Sequence, residues 1–216
     1  KRFDLDSAII FSDILITPYA FGQKVEFIKD QGPKLDDFNL EKFLDISERE
    51  FLKELDPVYK AIEITKKNLN GDKSLIGFIG APWTLLVYML NIKVDKKKVD
   101  LDKLRKLSDK IEQILNKLIK FLCLHVENQV KAGADVIQIF DSWAGLIPQN
   151  IIKDYCYKPN AKIVDFCKKN KILNICFPRG IKEKFKDFNE IVKPNGINID
   201  YEIKPEWAKD NLRNVV

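Results

Sequence analysis

The sequence predicts an α/β fold of the parallel type and, within it, an incomplete (β/α)8 barrel of the TIM type. Three observations predict it. Short apolar runs recur at Ala8–Phe11, Leu75–Ile79, Val136–Phe140, Ile172–Phe177 and Gly196–Ile199. Each is too short for a helix and rich in Ile, Val or Phe, as suits a strand buried on both faces. Amphipathic helical stretches separate the runs, and strands alternating with helices make parallel βαβ units. The third observation concerns the first strand. It is followed by Ser12-Asp13-Ile14-Leu15, without the Gly-rich phosphate loop expected after the first strand of an open doubly wound sheet. A complete barrel takes ~250 residues. Five runs in 216 residues therefore predict the central portion of one barrel, read as a single unit over residues 1–216 with both ends missing.

The elements follow in chain order. Val25-Glu26-Phe27-Ile28, closed by Gly32-Pro33, reads as an extended excursion after the first strand. Ser47 to Asn68 reads as a helix that Pro57 kinks or divides. The clearest helix carries Leu104, Leu107, Ile111, Ile114, Leu115, Leu118, Leu122, Val126 and Val130 at three- and four-residue steps, and Gly133 supplies its stop. Asn160 to Lys171 repeats the pattern through Ile163, Val164, Phe166 and Cys167.

Composition narrows the class. Hydrophobic residues make up 45% and charged residues 32%, as in an ordinary globular protein. No apolar run reaches the ~18–20 residues that span a bilayer, so no membrane partner is expected. Lys1 to Ile10 places acids where a secretion signal needs an apolar stretch. The first residue is not Met, and the true N-terminus is expected to lie upstream. Cys123, Cys156, Cys167 and Cys176 form no CxxC pair, which reads as free thiols in a reducing cytoplasm. The net charge is +5, but the lysines are interspersed with acids. Lys96-Lys97-Lys98 and Lys168-Lys169 read as solvated faces, not as a nucleic-acid patch.

A barrel builds its active site where the strands end. Those tips supply Asp13, Tyr88, Asp141, Ser142, Arg179 and Asp200, with Phe11, Trp83, Phe140, Trp143 and Phe177 as expected aromatic walls. Each has a plainer alternative. Asp13 suits a helix N-cap. Trp83 and Tyr88 suit a core, Ser142 a turn, Asp141 a cap or a neighbour's partner, Arg179 an ion pair, and Asp200 the barrel rim.

Three stretches carry a family resemblance. Phe3 to Leu15 (FDLDSAIIFSDIL), Leu75 to Leu85 (LIGFIGAPWTL) and Ala132 to Gly145 (AGADVIQIFDSWAG) are similar to uroporphyrinogen decarboxylases, in the expected order. The resemblance covers essentially the whole chain, most weakly at 36–70 and 93–105. It implies a (β/α)8 barrel, commonly a homodimer, that removes CO2 from the four acetate arms of uroporphyrinogen III in haem biosynthesis, giving coproporphyrinogen III. Asp13 in FSD resembles the family's central catalytic carboxylate, which binds the pyrrole N–H groups and stabilises the protonated intermediate. Tyr88 and Ser142 resemble its substrate-binding tyrosine and hydroxyl. The match at Arg179 is softer and implies no role. The family's RQAGRY segment is expected before Lys1 and its C-terminal histidine after Val216. His125 is mid-helix and is not that residue.

The implied chemistry suits these residue types. Protonating a pyrrole creates an electron sink for decarboxylation and also a cation, which a fixed carboxylate stabilises in a water-poor cavity. No metal or organic cofactor is expected. Two other readings remain open: a zinc-dependent corrinoid or thiol methyltransferase on a related barrel, and an inactive fragment. Cys123 and His125, two apart on a helix, point to different faces and make a poor zinc pair.

Overall fold

The apolar runs pair into one parallel sheet in a computed structural model that describes residues 5–28, 32–95, 98–213 and 215–216. The order of elements is β1 (Ser7–Ile9), α1 (Ile16–Ala20), β2 (Val25–Ile28), β3 (Gly32–Leu35), α2 (Leu40–Asp45), α3 (Glu48–Asn68), β4 (Ser74–Gly80), α4 (Pro82–Met89), α5 (Leu101–Arg105), α6 (Ser108–Lys131), β5 (Val136–Asp141), α7 (Lys158–Lys169), β6 (Leu173–Pro178), α8 (Phe185–Val192), β7 (Gly196–Ile197) and α9 (Pro205–Asn211). The strands neighbour one another as β1-β4-β5-β6-β7, with every pairing parallel. Thus the five expected strands form in the expected order, as consecutive strands of a (β/α) barrel. The excursion after β1 is a separate antiparallel hairpin of β2 and β3.

Side chains alternate across the sheet. Leu75, Ile79, Ile137, Ile139, Asn174 and Cys176 lie fully buried on the helix-covered face. The opposite face carries Ile76, Phe78, Gln138, Phe140, Ile175 and Phe177. It is more open: Ile9 and Leu173, paired into that face by register, are 53% and 54% exposed.

The helices differ from expectation in two places. Pro57 neither breaks nor divides α3, which runs unbroken from a capping box of Ser47 and Glu50. The carbonyl that Pro57 leaves without an intrahelical donor belongs to Lys53, on the exposed face, where water can bond it. Conversely, the long periodic helix is two helices. The chain tightens at Leu107, whose N–H donates to the Leu104 carbonyl at 3.1 Å, and α6 starts afresh at Ser108. Gly133 does end the region, at φ +114°. Lys168 and Lys169 are exposed, as is Lys98, while Lys96 and Lys97 lie outside the described residues.

The first strand is shorter than its apolar run. After the Ile10 N–H donates to the Ile76 carbonyl at 3.0 Å, the ladder between β1 and β4 stops. Two residues on, the Phe78 N–H donates to Gln129 Oε1 at 3.0 Å, and Gln129 Nε2 donates back to the Phe78 carbonyl at 2.9 Å. A side-chain amide from α6 thus stands in for the missing strand. Gly77 makes room for it, since a Cβ there would lie 2.5 Å from Gln129 Oε1.

Candidate functional site

The segment after β1 crosses the end of β4 because Gly80 has no side chain. A Cβ at Gly80 would stand 3.1 Å from the Cβ of Ile14 and 2.9 Å from Leu85 Cδ2. Asp13 therefore comes down beside α4. One carboxylate oxygen, Oδ1, accepts the Leu15 N–H at 2.9 Å, and the Asp13 carbonyl accepts the Ile16 N–H at 3.0 Å. One oxygen is thus spent on a local turn leading into α1, whose N-cap, Leu15, has no side-chain capping bond. The other has no hydrogen-bond partner among the described residues.

Tyr88 sits half-buried in the last turn of α4, its ring edge-on to Trp143 with centroids 6.1 Å apart. Burial pushes its phenol above the ordinary value, the neighbouring Trp143 side chain opposes this, and the charge of Asp13 adds a smaller raising influence. Ser142 follows β5 immediately; it is half-buried, and its hydroxyl has no partner among the described residues. The three residues stand beyond the C-terminal ends of three adjacent strands, β1, β4 and β5.

Behind them lies a clamp. Pro82 opens α4 with the ring geometry a first helical turn accepts, and the next two side chains turn toward the loop after β5. The Trp83 indole donates to the Trp143 carbonyl at 2.8 Å, and the Trp143 N–H donates to Thr84 Oγ1 at 3.1 Å. Thr84 in turn donates to Asp141 Oδ1 at 2.7 Å. Asp141 Oδ2 accepts from Asn160 Nδ2 at 3.1 Å and from the Cys156 thiol at 3.2 Å. Asp141 is 1% exposed, and its hydrogen-bond partners among the described residues are all neutral. Burial raises its carboxyl, with the bonds from Thr84, Cys156 and Asn160 opposing. Burial, followed by the charge of Asp141, raises the Cys156 thiol, which keeps it a donor.

Several expectations need correction. Asp141 does not converge on a cavity: it shares the helix-covered face of β5 with Ile137 and Ile139 and works as a partner of its neighbours. Trp83 is fully buried and clamps the loop instead of walling a site. Phe11 is 93% exposed, so it forms no wall among the described residues. Arg179 is exposed and makes no ion pair with a described residue; its backbone accepts the Gly145 N–H at 2.9 Å. That loop contact needs glycine, because a Cβ at Gly145 would stand 2.7 Å from the Gly180 carbonyl oxygen. Asp200 serves the rim, its Oδ2 accepting the Gly180 N–H at 2.7 Å. Sequence reasoning missed Thr84, whose signal was its place two residues after the strand-ending Gly-Ala-Pro turn's proline.

Beside Tyr88 a groove of about 280 Å³ is lined by Pro33, Lys34, Asn91, Lys93 and Val94 among others. Lys93 Nζ lies 4.0 Å from the centroid of the Trp143 ring. His125 is fully buried and bonded on both ring nitrogens, to the Tyr59 hydroxyl at 3.0 Å and to Gln129 at 3.2 Å. Among the described residues no three or more His, Cys, Asp or Glu side chains are grouped to share a metal ion, and no helix is long and apolar enough to cross a membrane.

A parallel strand–helix alternation in one sheet, with Asp13 and Ser142 on the segments that follow β1 and β5, has the arrangement of a (β/α)-barrel protein, a fold that builds its site on strand-end loops. A solved methyltransferase from Methanosarcina mazei shares this fold with a TM-score of 0.75 at 17% identity, over 97% of this chain and 62% of that one. The sequence is more particular. The family described as uroporphyrinogen decarboxylase (URO-D) matches residues 1–216, and the chain belongs to that family. It is 40% identical over 210 residues to a uroporphyrinogen decarboxylase of Orientia tsutsugamushi (strain Ikeda), covering 94% of this chain and 60% of that relative. It is 36% identical to one of Rickettsia bellii (strain RML369-C), covering 97% and 62%. One of Campylobacter jejuni (strain RM1221) is 38% identical over 183 residues, covering 82% and 54%. The chain thus spans about 60% of the length of the curated relatives it matches.

Proposed function

We propose that the chain carries the substrate-binding and catalytic carboxylate portion of a uroporphyrinogen decarboxylase. Its substrate would be uroporphyrinogen III and its product coproporphyrinogen III. The observation that carries this reading is the open oxygen of Asp13, on the segment after the first strand of a chain that matches the family throughout.

The mechanism follows from the residues. A proton adds to the ring α-carbon next to the carbon that bears the acetate arm, and the ring becomes cationic, with its charge shared by the arm-bearing carbon and the nitrogen. The bond from CH2 to the carboxylate then breaks, CO2 leaves, and its electron pair moves through the CH2 carbon to neutralise the ring. A second proton on that carbon gives a methyl group, and loss of the ring proton restores the pyrrole. Per arm, one proton replaces one CO2. Asp13 accepts the inward pyrrole N–H groups, as an acceptor-only group with free lone pairs can, and its charge stabilises the cationic ring. Tyr88 and Ser142 bind the macrocycle beside it. No step requires a cofactor. A single unit over residues 1–216, a homodimeric assembly and a cytoplasmic location belong to the same reading, carried from the family resemblance.

The test is decarboxylation of uroporphyrinogen by a protein of the relatives' full length that carries these residues, with and without a chelator. Stepwise loss of four CO2 in both conditions is the expected result. No turnover refutes the reading, and turnover abolished by the chelator returns the zinc methyltransferase class.

A further inference from the structure

The groove beside Tyr88 has a charge pattern that the mechanism above does not use. Two ammonium groups border it. Lys34 reaches it from β3, and Lys93 comes from the turn after α4. Asn91, at φ 49°, reverses the chain there, and the resulting turn sets Lys93 Nζ over the Trp143 ring. A cation placed on an indole face is held by the ring quadrupole, so Lys93 is fixed in the neighbourhood of Tyr88 without a carboxylate partner among the described residues.

Among the described residues no acid lines the groove. The described acids of the hairpin have Lys24 as their bonded partner, and the charge of Lys34 also reaches Glu26. Glu26, opposite Lys34 in register, is held by Lys24 at 2.5 Å, and Asp36 Oδ1 accepts the Lys24 N–H at 3.0 Å. Asn91 is also occupied, its amide donating to the Leu35 carbonyl at 3.1 Å. Among the described residues, Lys93, Lys34 and Tyr88 border a space sized for a short side arm. Such a setting selects a carboxylate. It is lined by Tyr88, the residue that the decarboxylase reading places against the macrocycle.

We propose that this groove binds a peripheral carboxylate arm of the substrate, with Lys93 and Lys34 as its cationic partners. The assignment rests on the decarboxylase reading and adds two specificity residues to it. Either lysine would favour the substrate that carries more carboxylates.

The test titrates uroporphyrin, the oxidised macrocycle with the same acid arms, onto a protein of the relatives' full length that carries these residues, and follows quenching of tryptophan fluorescence. Lys93→Gln and Lys34→Gln are each expected to weaken binding on the order of tenfold at low salt, as loss of one charge-assisted hydrogen bond does. Lys93→Arg should stay within about twofold, and the penalties should shrink at about 0.5 M salt, where exposed charges are screened. If the unaltered protein binds uroporphyrin and both glutamine variants bind equally well at low salt, the groove assignment is overturned and the decarboxylase reading stands. If the unaltered protein does not bind uroporphyrin, the groove assignment is overturned, and the decarboxylase reading is decided separately by the turnover test above.

Discussion

Asp13→Asn separates a structural carboxylate from a catalytic one, because the two roles use different oxygens. The Asp13 Oδ1 that accepts the Leu15 N–H at 2.9 Å has an equivalent in the asparagine carbonyl, so the turn into α1 should survive. Asn and Asp are about equal at such positions, and the stability change should stay within about 0.5 kcal/mol. The second oxygen, free among the described residues, becomes an NH2 group facing pyrrole donors, and the negative charge disappears. Loss of one oriented electrostatic group costs about 100- to 1,000-fold in rate. Asp13→Glu should not rescue, since a shift of ~1 Å can itself cost about 100-fold. Tyr88 offers a readout that needs no turnover. The charge of Asp13 raises its phenol, so the asparagine variant should lower it, with burial keeping it above the ordinary value. The measurements are steady-state decarboxylation in a full-length protein, circular dichroism, and ultraviolet titration of the phenols. A folded asparagine variant with near-normal turnover would refute the mechanism and leave Asp13 as a turn residue.

Thr84→Val should destabilise by about 2–4 kcal/mol in urea unfolding, because it strands a buried carboxylate oxygen and the Trp143 N–H together; Thr84→Ser should recover most of it, and a valine variant as stable as the parent would remove the clamp from the argument. Gly77→Ala should be costly in the parent and much cheaper in a Gln129→Ala background, since the clash at 2.5 Å is with that side chain; additive effects in the double-mutant cycle would refute the coupling. His125 is held neutral, its pKa pushed down to about 3 by burial from an ordinary 6.5. Between those values the unfolded chain binds the extra proton, so stability from this residue is full above pH 6.5 and is lost as pH falls toward 3. Urea unfolding should show about 1.4 kcal/mol less stability at pH 5.5 than at 7.5 from this residue, and a His125→Gln variant with the same pH slope would show the cause lies elsewhere.

The strands were legible because their apolar runs are too short for helices and are separated by helical periodicity. Helix ends were harder to read. Pro57 is tolerated because the carbonyl it orphans faces water, and that depends on which face of α3 is outward. Asp13, Tyr88 and Ser142 were legible as positions near strand ends, since chain proximity places them there. Whether a strand-end side chain turns to the open face or the helix-covered face depends on parity. Asp141 has the parity of Ile137 and Ile139, which was readable in principle, and that parity sends it away from the site. Its partners Thr84, Cys156 and Asn160 come from separate elements, and only packing brings them together.

Least legible was the device that sets where Asp13 goes. His125 and Gln129 look in the sequence like polar residues on the face of a long helix. In the fold, Gln129 donates one amide hydrogen to the Phe78 carbonyl and turns the other to His125 Nε2. That nitrogen must then be the acceptor, which places the ring proton on Nδ1, facing the Tyr59 oxygen at 3.0 Å. A protonated ring would set two donors against each other, so the low pKa and the hydrogen-bond pattern agree. The chain of bonds fixes the glutamine amide in the one orientation that satisfies Phe78. Peptide groups two apart on a strand turn to the same side, so Phe78, like Ile76, faces the β1 side. With that ladder position already filled, β1 has no bond to gain by continuing. The residues after Ile10 are released to cross the end of β4 at Gly80, and the first acidic residue on that path is Asp13. A core network on the helix-covered face therefore decides where the carboxylate emerges on the other side of the sheet's end.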